Sequence, residues 1–340
     1  MQKGNVFLES VFVKNKNIKL LINYGVGPVL FVWFSVSIYH QLQSQPHLQD
    51  AIQALRRSLT GPQAWKFYLT LLLVPVNWGI EARKWQVLLK PLERISVLLS
   101  FRAVLAGLAF SMNTPNRVGE YGGRVAFVQD GHRWKALSLT IIGSFSQVLV
   151  TLLMGMGGLF FLSANPVAAQ FAEQYNVWIK VLLWGSTLVT VVLALLYLNL
   201  SRLVGWIEHI PRAERLLSHI RIIEDLPVTI LLRTISLSFI RYLIFVFQYI
   251  LLLQVFGIEA GVWHCFWLIS VLYLVLAITP TIALAELGLR GQVSLMLFGL
   301  VSSNSFGIVG AASGIWLLNL VLPSLAGSLF FVGLKIFSDK

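Results

Sequence analysis

Two short stretches hold ionisable residues where an otherwise apolar chain has least reason to keep them. The first runs Thr114-Pro115-Asn116-Arg117-Val118-Gly119-Glu120-Tyr121-Gly122-Gly123-Arg124, and the second from Thr279-Pro280 to Arg290. Both read Thr-Pro, a gap of four or five residues, then Glu-x-Gly-x-Arg, supplied by Glu120, Gly122 and Arg124 and by Glu286, Gly288 and Arg290; the two glutamates lie 166 residues apart. Two chemistries fit this pattern. Each glutamate precedes its arginine by four residues, the favourable order for a helical ion pair, so each pair can simply neutralise itself. The first copy has a further cation, Arg117, giving a formal sum of +1, and a buried surplus cation calls for a counter-anion such as a phosphate. Threonine is a good N-cap and proline suits the first helical position. Thr114-Pro115 and Thr279-Pro280 therefore each read as the start of a return helix whose free amides and positive dipole end favour an anion.

Asn113, Arg83 and Arg241 complete the candidates, each with a bland reading beside the functional one. Asn113, like Asn77, Gln147, Gln248 and Asn319, suits an interhelical hydrogen bond. Arg83 lies in Glu81-Ala82-Arg83-Lys84-Trp85, which reads as the interfacial end of a span. Arg241 sits seven residues into its span, where snorkelling explains it as well as ligand contact. The candidate substrate-binding set is thus Arg117, Glu120, Arg124, Glu286, Arg290, Asn113, Thr114, Thr279, Arg83 and Arg241. No catalytic residue, metal ligand or cofactor is assigned. Cys265, the single cysteine, lies within the apolar stretch Trp263 to Leu276 and reads as packing; His264 reads as a neighbour of an aromatic belt. A transporter is expected rather than an enzyme.

The elements that position these residues are membrane spans. Hydrophobic residues make up 57% of 340 positions and charged ones 12%, and apolar runs reach the ~20 residues that cross a ~30 Å hydrocarbon core. Apolar segments fall near 20–40, 65–80, 95–113, 136–162, 178–200, 234–257, 263–279, 281–300 and 307–334. No removable signal peptide is read at the N-terminus. The net charge of +12 lies mostly in short loops, which points to orientation and anionic headgroups, not nucleic acid. If 95–113 crossed the membrane, the arginine-rich 201–233 connection would fall outside and the Lys/Arg-free loop 163–177 inside, inverting the positive-inside rule. Parity returns if 95–130 enters from the cytoplasm, turns within the bilayer and leaves on the same side. Three spans then separate the two Thr-Pro copies, so the second hairpin enters from the opposite face.

The expected fold is an all-α polytopic membrane protein, a single transmembrane domain over 1–340. It has about six full spans plus two membrane-inserted helical hairpins related as an inverted repeat, with halves near 65–165 and 230–336 and a cytoplasmic interfacial connection over 201–226. Both termini are expected to be cytoplasmic, in a plasma (bacterial inner) membrane. Inverted repeats of this kind bring broken elements together near the midplane and bind substrate between them.

The run Pro115-x-Arg117-x-Gly119-Glu120 followed by Arg124, with Arg83-Lys84-Trp85 and the Pro280 to Glu286 region, resembles the flippase-like family also described as the lysylphosphatidylglycerol synthase transmembrane region, over most of the chain. Two departures stand out: Thr281-Ile282-Ala283-Leu284 replaces the family's glycine-rich turn, and Arg124 follows Glu120 by four residues where three is usual. The resemblance implies a translocase for polar-headed lipids, with an anionic-headgroup lipid such as a phospholipid or polyprenyl-phosphate carrier as substrate and envelope-biosynthesis enzymes as possible partners. Some relatives carry a fused aminoacyl transferase domain. Here the chain ends at Lys340, so lipid aminoacylation by this polypeptide is not expected. A membrane-embedded lipid-modifying enzyme or glycosyltransferase, and a noncatalytic scaffold subunit, are the competing classes.

Overall fold

Long apolar runs without internal caps favour long helices, and every regular element among the described residues is helical. The computed structural model describes Val36 and residues 61–331, apart from 113, 115, 116, 166–168, 201–204, 206–219, 221, 281 and 282. The apolar segment 20–40 apart from Val36, most of the 201–226 connection and both termini lie outside the described residues. Helix α1 (Ala64–Leu89) is followed by α2 (Val97–Ser111), the short α3 (Gly119–Val125), a 3-10 turn (Asp130–His132) and the long α4 (Arg133–Ala164). Then come α5 (Ala169–Gln174), α6 (Asn176–Leu198), α7 (Val228–Val255), α8 (Val262–Ile278), α9 (Ala283–Phe298), α10 (Ser305–Trp316), a π-helical turn over Leu317–Val321 and α11 (Leu322–Phe331).

Among the described residues, four stretches, 130–164, 176–198, 228–255 and 305–330, are long and apolar enough to cross a membrane. Helix α6 shows the lipid side most plainly, exposing Trp178, Trp184, Leu188, Val191 and Leu195; such a face is stable only against another apolar phase. Helices α2 and α3 are different. At 15 and 7 residues they rise about 22 and 10 Å, short of a ~30 Å core. They pack on each other, and glycine sets how closely. A Cβ on Gly107 would lie 2.7 Å from the Glu120 carbonyl oxygen, and one on Gly123 would lie 2.6 Å from the Gly107 Cα.

Two apolar clusters divide the interior. One joins α1, α2 and the 317–321 turn through Trp78, Trp85, Leu105, Leu108, Trp316 and Leu320. The other joins α4, α7, α8 and α10 through Leu152, Tyr242, Tyr249, Leu272, Ile308 and Ile315. Polar groups cross between helices where their hydrogen bonds are met inside. The Asn77 amide donates to Gln248 Oε1 at 3.5 Å, Gln248 Nε2 donates to the Thr70 carbonyl at 3.1 Å, and Trp85 Nε1 donates to Thr140 Oγ1 at 3.0 Å.

Three local expectations change. The first return helix opens at Gly119, not at Pro115. Arg117 occupies a left-handed turn, φ 58°, and Thr114 Oγ1 accepts the Gly119 N–H at 2.9 Å, so threonine caps the turn from five residues away. In the second copy Thr279 closes the preceding helix: its hydroxyl donates to the Val275 carbonyl at 2.7 Å, and α9 begins at Ala283. The span ending near residue 80 instead continues as α1 to Leu89, because Glu81 and Lys84 are matched by charge inside the protein and do not force the helix out to the interface.

Candidate functional site

The ionisable residues converge on one cavity of about 390 Å³. Its lining draws Trp78, Glu81 and Lys84 from α1, Arg117, Glu120 and Tyr121 from the first hairpin, and Ser144, Gln147 and Thr151 from one face of α4. Opposite are Arg241, Tyr242 and Phe245 of α7, Tyr273 and Thr279 at the end of α8, Glu286 and Arg290 of α9, and Trp316 and Asn319 around the π turn. Both apolar clusters contribute walls, so the cavity lies between them.

Glu81 is the hub. Its carboxylate stands 2.8 Å from Lys84 Nζ, 2.9 Å from an Arg124 amino nitrogen and 3.2 Å from Arg241. Arg124 also pairs with Glu120 one helical turn away. Arg241 is held in place on several sides: its Nε donates to Asn77 Oδ1 at 2.9 Å, and its guanidinium lies 4.7 Å from the Trp78 ring centre and 5.0 Å from that of Phe245. It points inward and does not snorkel. On the far wall Arg290 pairs with Glu286 at 2.5 Å, while Arg117 reaches across from the first hairpin to the other Glu286 oxygen at 2.6 Å. That pair joins the two Thr-Pro stretches directly.

Five cations, Lys84, Arg117, Arg124, Arg241 and Arg290, face three carboxylates, Glu81, Glu120 and Glu286. The formal surplus is two positive charges. Insertion scales put one arginine at a bilayer centre at about 2.5–3.5 kcal/mol, so an uncompensated surplus is costly and an anion in the cavity offsets it. The positive charge around the cavity is carried by side chains, and α3, which follows Arg117, is only seven residues long.

Of the candidates read from sequence, Arg117, Glu120, Arg241, Glu286, Arg290 and Thr279 line the cavity, and Arg124 lies immediately behind, bridging Glu81 and Glu120. Thr114 braces the hairpin turn. Asn113 falls outside the described residues. Arg83 faces away, exposed and bonded to Gln86; Lys84 and Glu81 hold the inward positions that the sequence reading did not assign to the site. Helical phase carried the signal: Asn77, Trp78, Glu81, Lys84 and Trp85 recur at three- and four-residue intervals on one face, whereas residue 83 falls off it. Asn319, expected to bond another helix, has neither amide atom hydrogen-bonded among the described residues.

Among known families, the profile described as "Lysylphosphatidylglycerol synthase TM region" matches residues 20–327. No curated protein and no solved structure matches the chain.

Proposed function

We propose that this chain, which belongs to the lysylphosphatidylglycerol synthase TM region family and is a multi-pass membrane protein, is a lipid translocase that binds an anionic headgroup and moves it between leaflets. The observation that carries the reading is the surplus of two positive charges around a 390 Å³ cavity, a size typical of small-molecule sites. A phosphate or phosphodiester bound there offsets the surplus while the acyl or prenyl tails stay in the bilayer, where hydrocarbon needs no protein enclosure. The two Thr-Pro stretches act as opposed hairpins of an inverted repeat. Arg117 to Glu286, the ion pair between them, supports that arrangement and gives a contact that must break if one half rocks against the other.

Reconstitution into tight liposomes tests the proposal. The protein should speed leaflet exchange of fluorescent anionic phospholipids or polyprenyl phosphates over zwitterionic lipids, and Arg117→Ala should erase the preference. If the wild-type protein moves none of them, with or without a proton gradient, the scaffold reading takes its place.

A further inference from the structure

The charged wall of the cavity accounts for a phosphate; another part of its lining does not. Asn319 is 6% exposed and lines the cavity, yet both its Oδ1 and its Nδ2 lack a hydrogen-bond partner among the described residues. Trp78, 3% exposed, lines the same cavity and packs in the same apolar cluster as Trp316 and Leu320, and its Nε1–H is likewise unpartnered. Buried amide and indole groups normally find partners, and each one left unmade costs free energy. Asn319 also sits on the π-helical turn Leu317–Val321, a rare insertion that recurs at functional sites. No cation is needed to explain these atoms. They present two donor groups and one acceptor, and a phosphate, which only accepts, leaves the Asn319 carbonyl oxygen unmet.

We infer that Asn319 and Trp78 form a neutral subsite beside the cationic one, reading hydroxyl groups on the headgroup: the ligand is an anionic lipid whose phosphate bears a polyol or sugar. This rests on the proposed anionic-lipid reading and narrows it. A hydroxyl both donates to Oδ1 and accepts from Nδ2 or the indole N–H, so it satisfies what a bare phosphate or an alkyl phosphodiester leaves open. A quaternary ammonium headgroup has no donor for Oδ1 and meets like charge on the other wall.

The test is binding to the full-length protein in nanodiscs, with lipid pairs equal in charge and differing in hydroxyls: phosphatidylglycerol against phosphatidylpropanol, and hexosyl-phosphopolyprenol against a methyl phosphodiester of the same polyprenol. Wild-type protein should favour the hydroxylated member of at least one pair by about tenfold, since a site built to hydrogen-bond discriminates against the analogue that cannot. The pair showing the preference identifies polyol or sugar. Asn319→Leu should abolish that preference by lowering binding of the hydroxylated member to the level of its partner, and its melting temperature should hold or rise because an unpaired buried amide is removed. Equal wild-type binding of both members overturns the hydroxyl subsite while the anionic reading survives. Binding of no anionic lipid overturns both. An Asn319→Leu protein that melts early and loses all lipids equally assigns the residue to folding and also overturns the inference.

Discussion

Arg117→Ala and Arg124→Ala remove the same charge from the same hairpin, but the structure gives them different consequences. The Arg117 side chain is 37% exposed and among the described residues pairs with Glu286, which keeps Arg290 at 2.5 Å when Arg117 is gone. No carboxylate is orphaned, and a part-exposed pair of this kind is worth within about 1 kcal/mol. Arg124 is 5% exposed and serves both Glu81 and Glu120. Its loss leaves Glu120 without a cation and Glu81 with two, and breaking a buried pair this way costs about 3–5 kcal/mol. On the ligand side, losing one charge-assisted hydrogen bond to a phosphate costs about 1.5–3 kcal/mol, roughly ten- to a hundredfold in affinity. Thermal melting in detergent, beside binding isotherms for an anionic lipid, separates the two. Arg117→Ala should melt near wild type and bind at least tenfold more weakly; Arg124→Ala should melt clearly earlier. The reasoning is refuted if Arg117→Ala melts as early as Arg124→Ala, with binding lost only in proportion to the unfolded fraction.

Glu81→Gln should be the most damaging single change in the site, because Lys84, Arg124 and Arg241 all lose their shared counter-charge; detergent melting should show a loss of about 3 kcal/mol or more. Gly123→Ala sets a Cβ 2.6 Å from the Gly107 backbone and should spread the α2–α3 hairpin, lowering both stability, by about 1–3 kcal/mol, and lipid binding, each measurable on the same sample. Cysteines introduced near Asn116 and near Thr281 in a Cys265→Ser background should label from opposite faces of the membrane, the first from the cytoplasmic side; labelling of both from one face rules out the inverted arrangement.

The helical, membrane-embedded character was plain because apolar runs of span length favour membrane helices, and among the described residues four of them stand as long apolar helices. The Glu120–Arg124 and Glu286–Arg290 pairs were legible for a local reason, since both partners sit on one helix four residues apart. What escaped was set by tertiary contact. Nothing in the spacing of residues 81, 124 and 241 announces that Glu81 gathers cations from three elements. Helical phase separates Lys84 from Arg83: position 84 shares the face of Asn77 and Glu81 and lines the cavity, whereas position 83 points away. The late start of α3 was hidden because Thr-Pro is a good local start signal, and it lost here to a turn that places Arg117 at positive φ and reaches Glu286. The π turn at Leu317–Val321 has no sequence mark, so Asn319 read as one more interhelical amide.

The central claim, that the cationic cavity holds an anionic lipid headgroup, is tested most directly by native mass spectrometry of gently purified protein, wild type beside Arg241→Ala. Arg241 lines the cavity and closes one side of the Glu81 cluster. Wild-type protein should retain a lipid whose mass identifies a phosphate-bearing headgroup, at higher occupancy than zwitterionic lipids of the same membrane, and Arg241→Ala should lose most of it while remaining folded. Retention of only zwitterionic lipids, or of anionic lipid unchanged in the variant, would contradict the account.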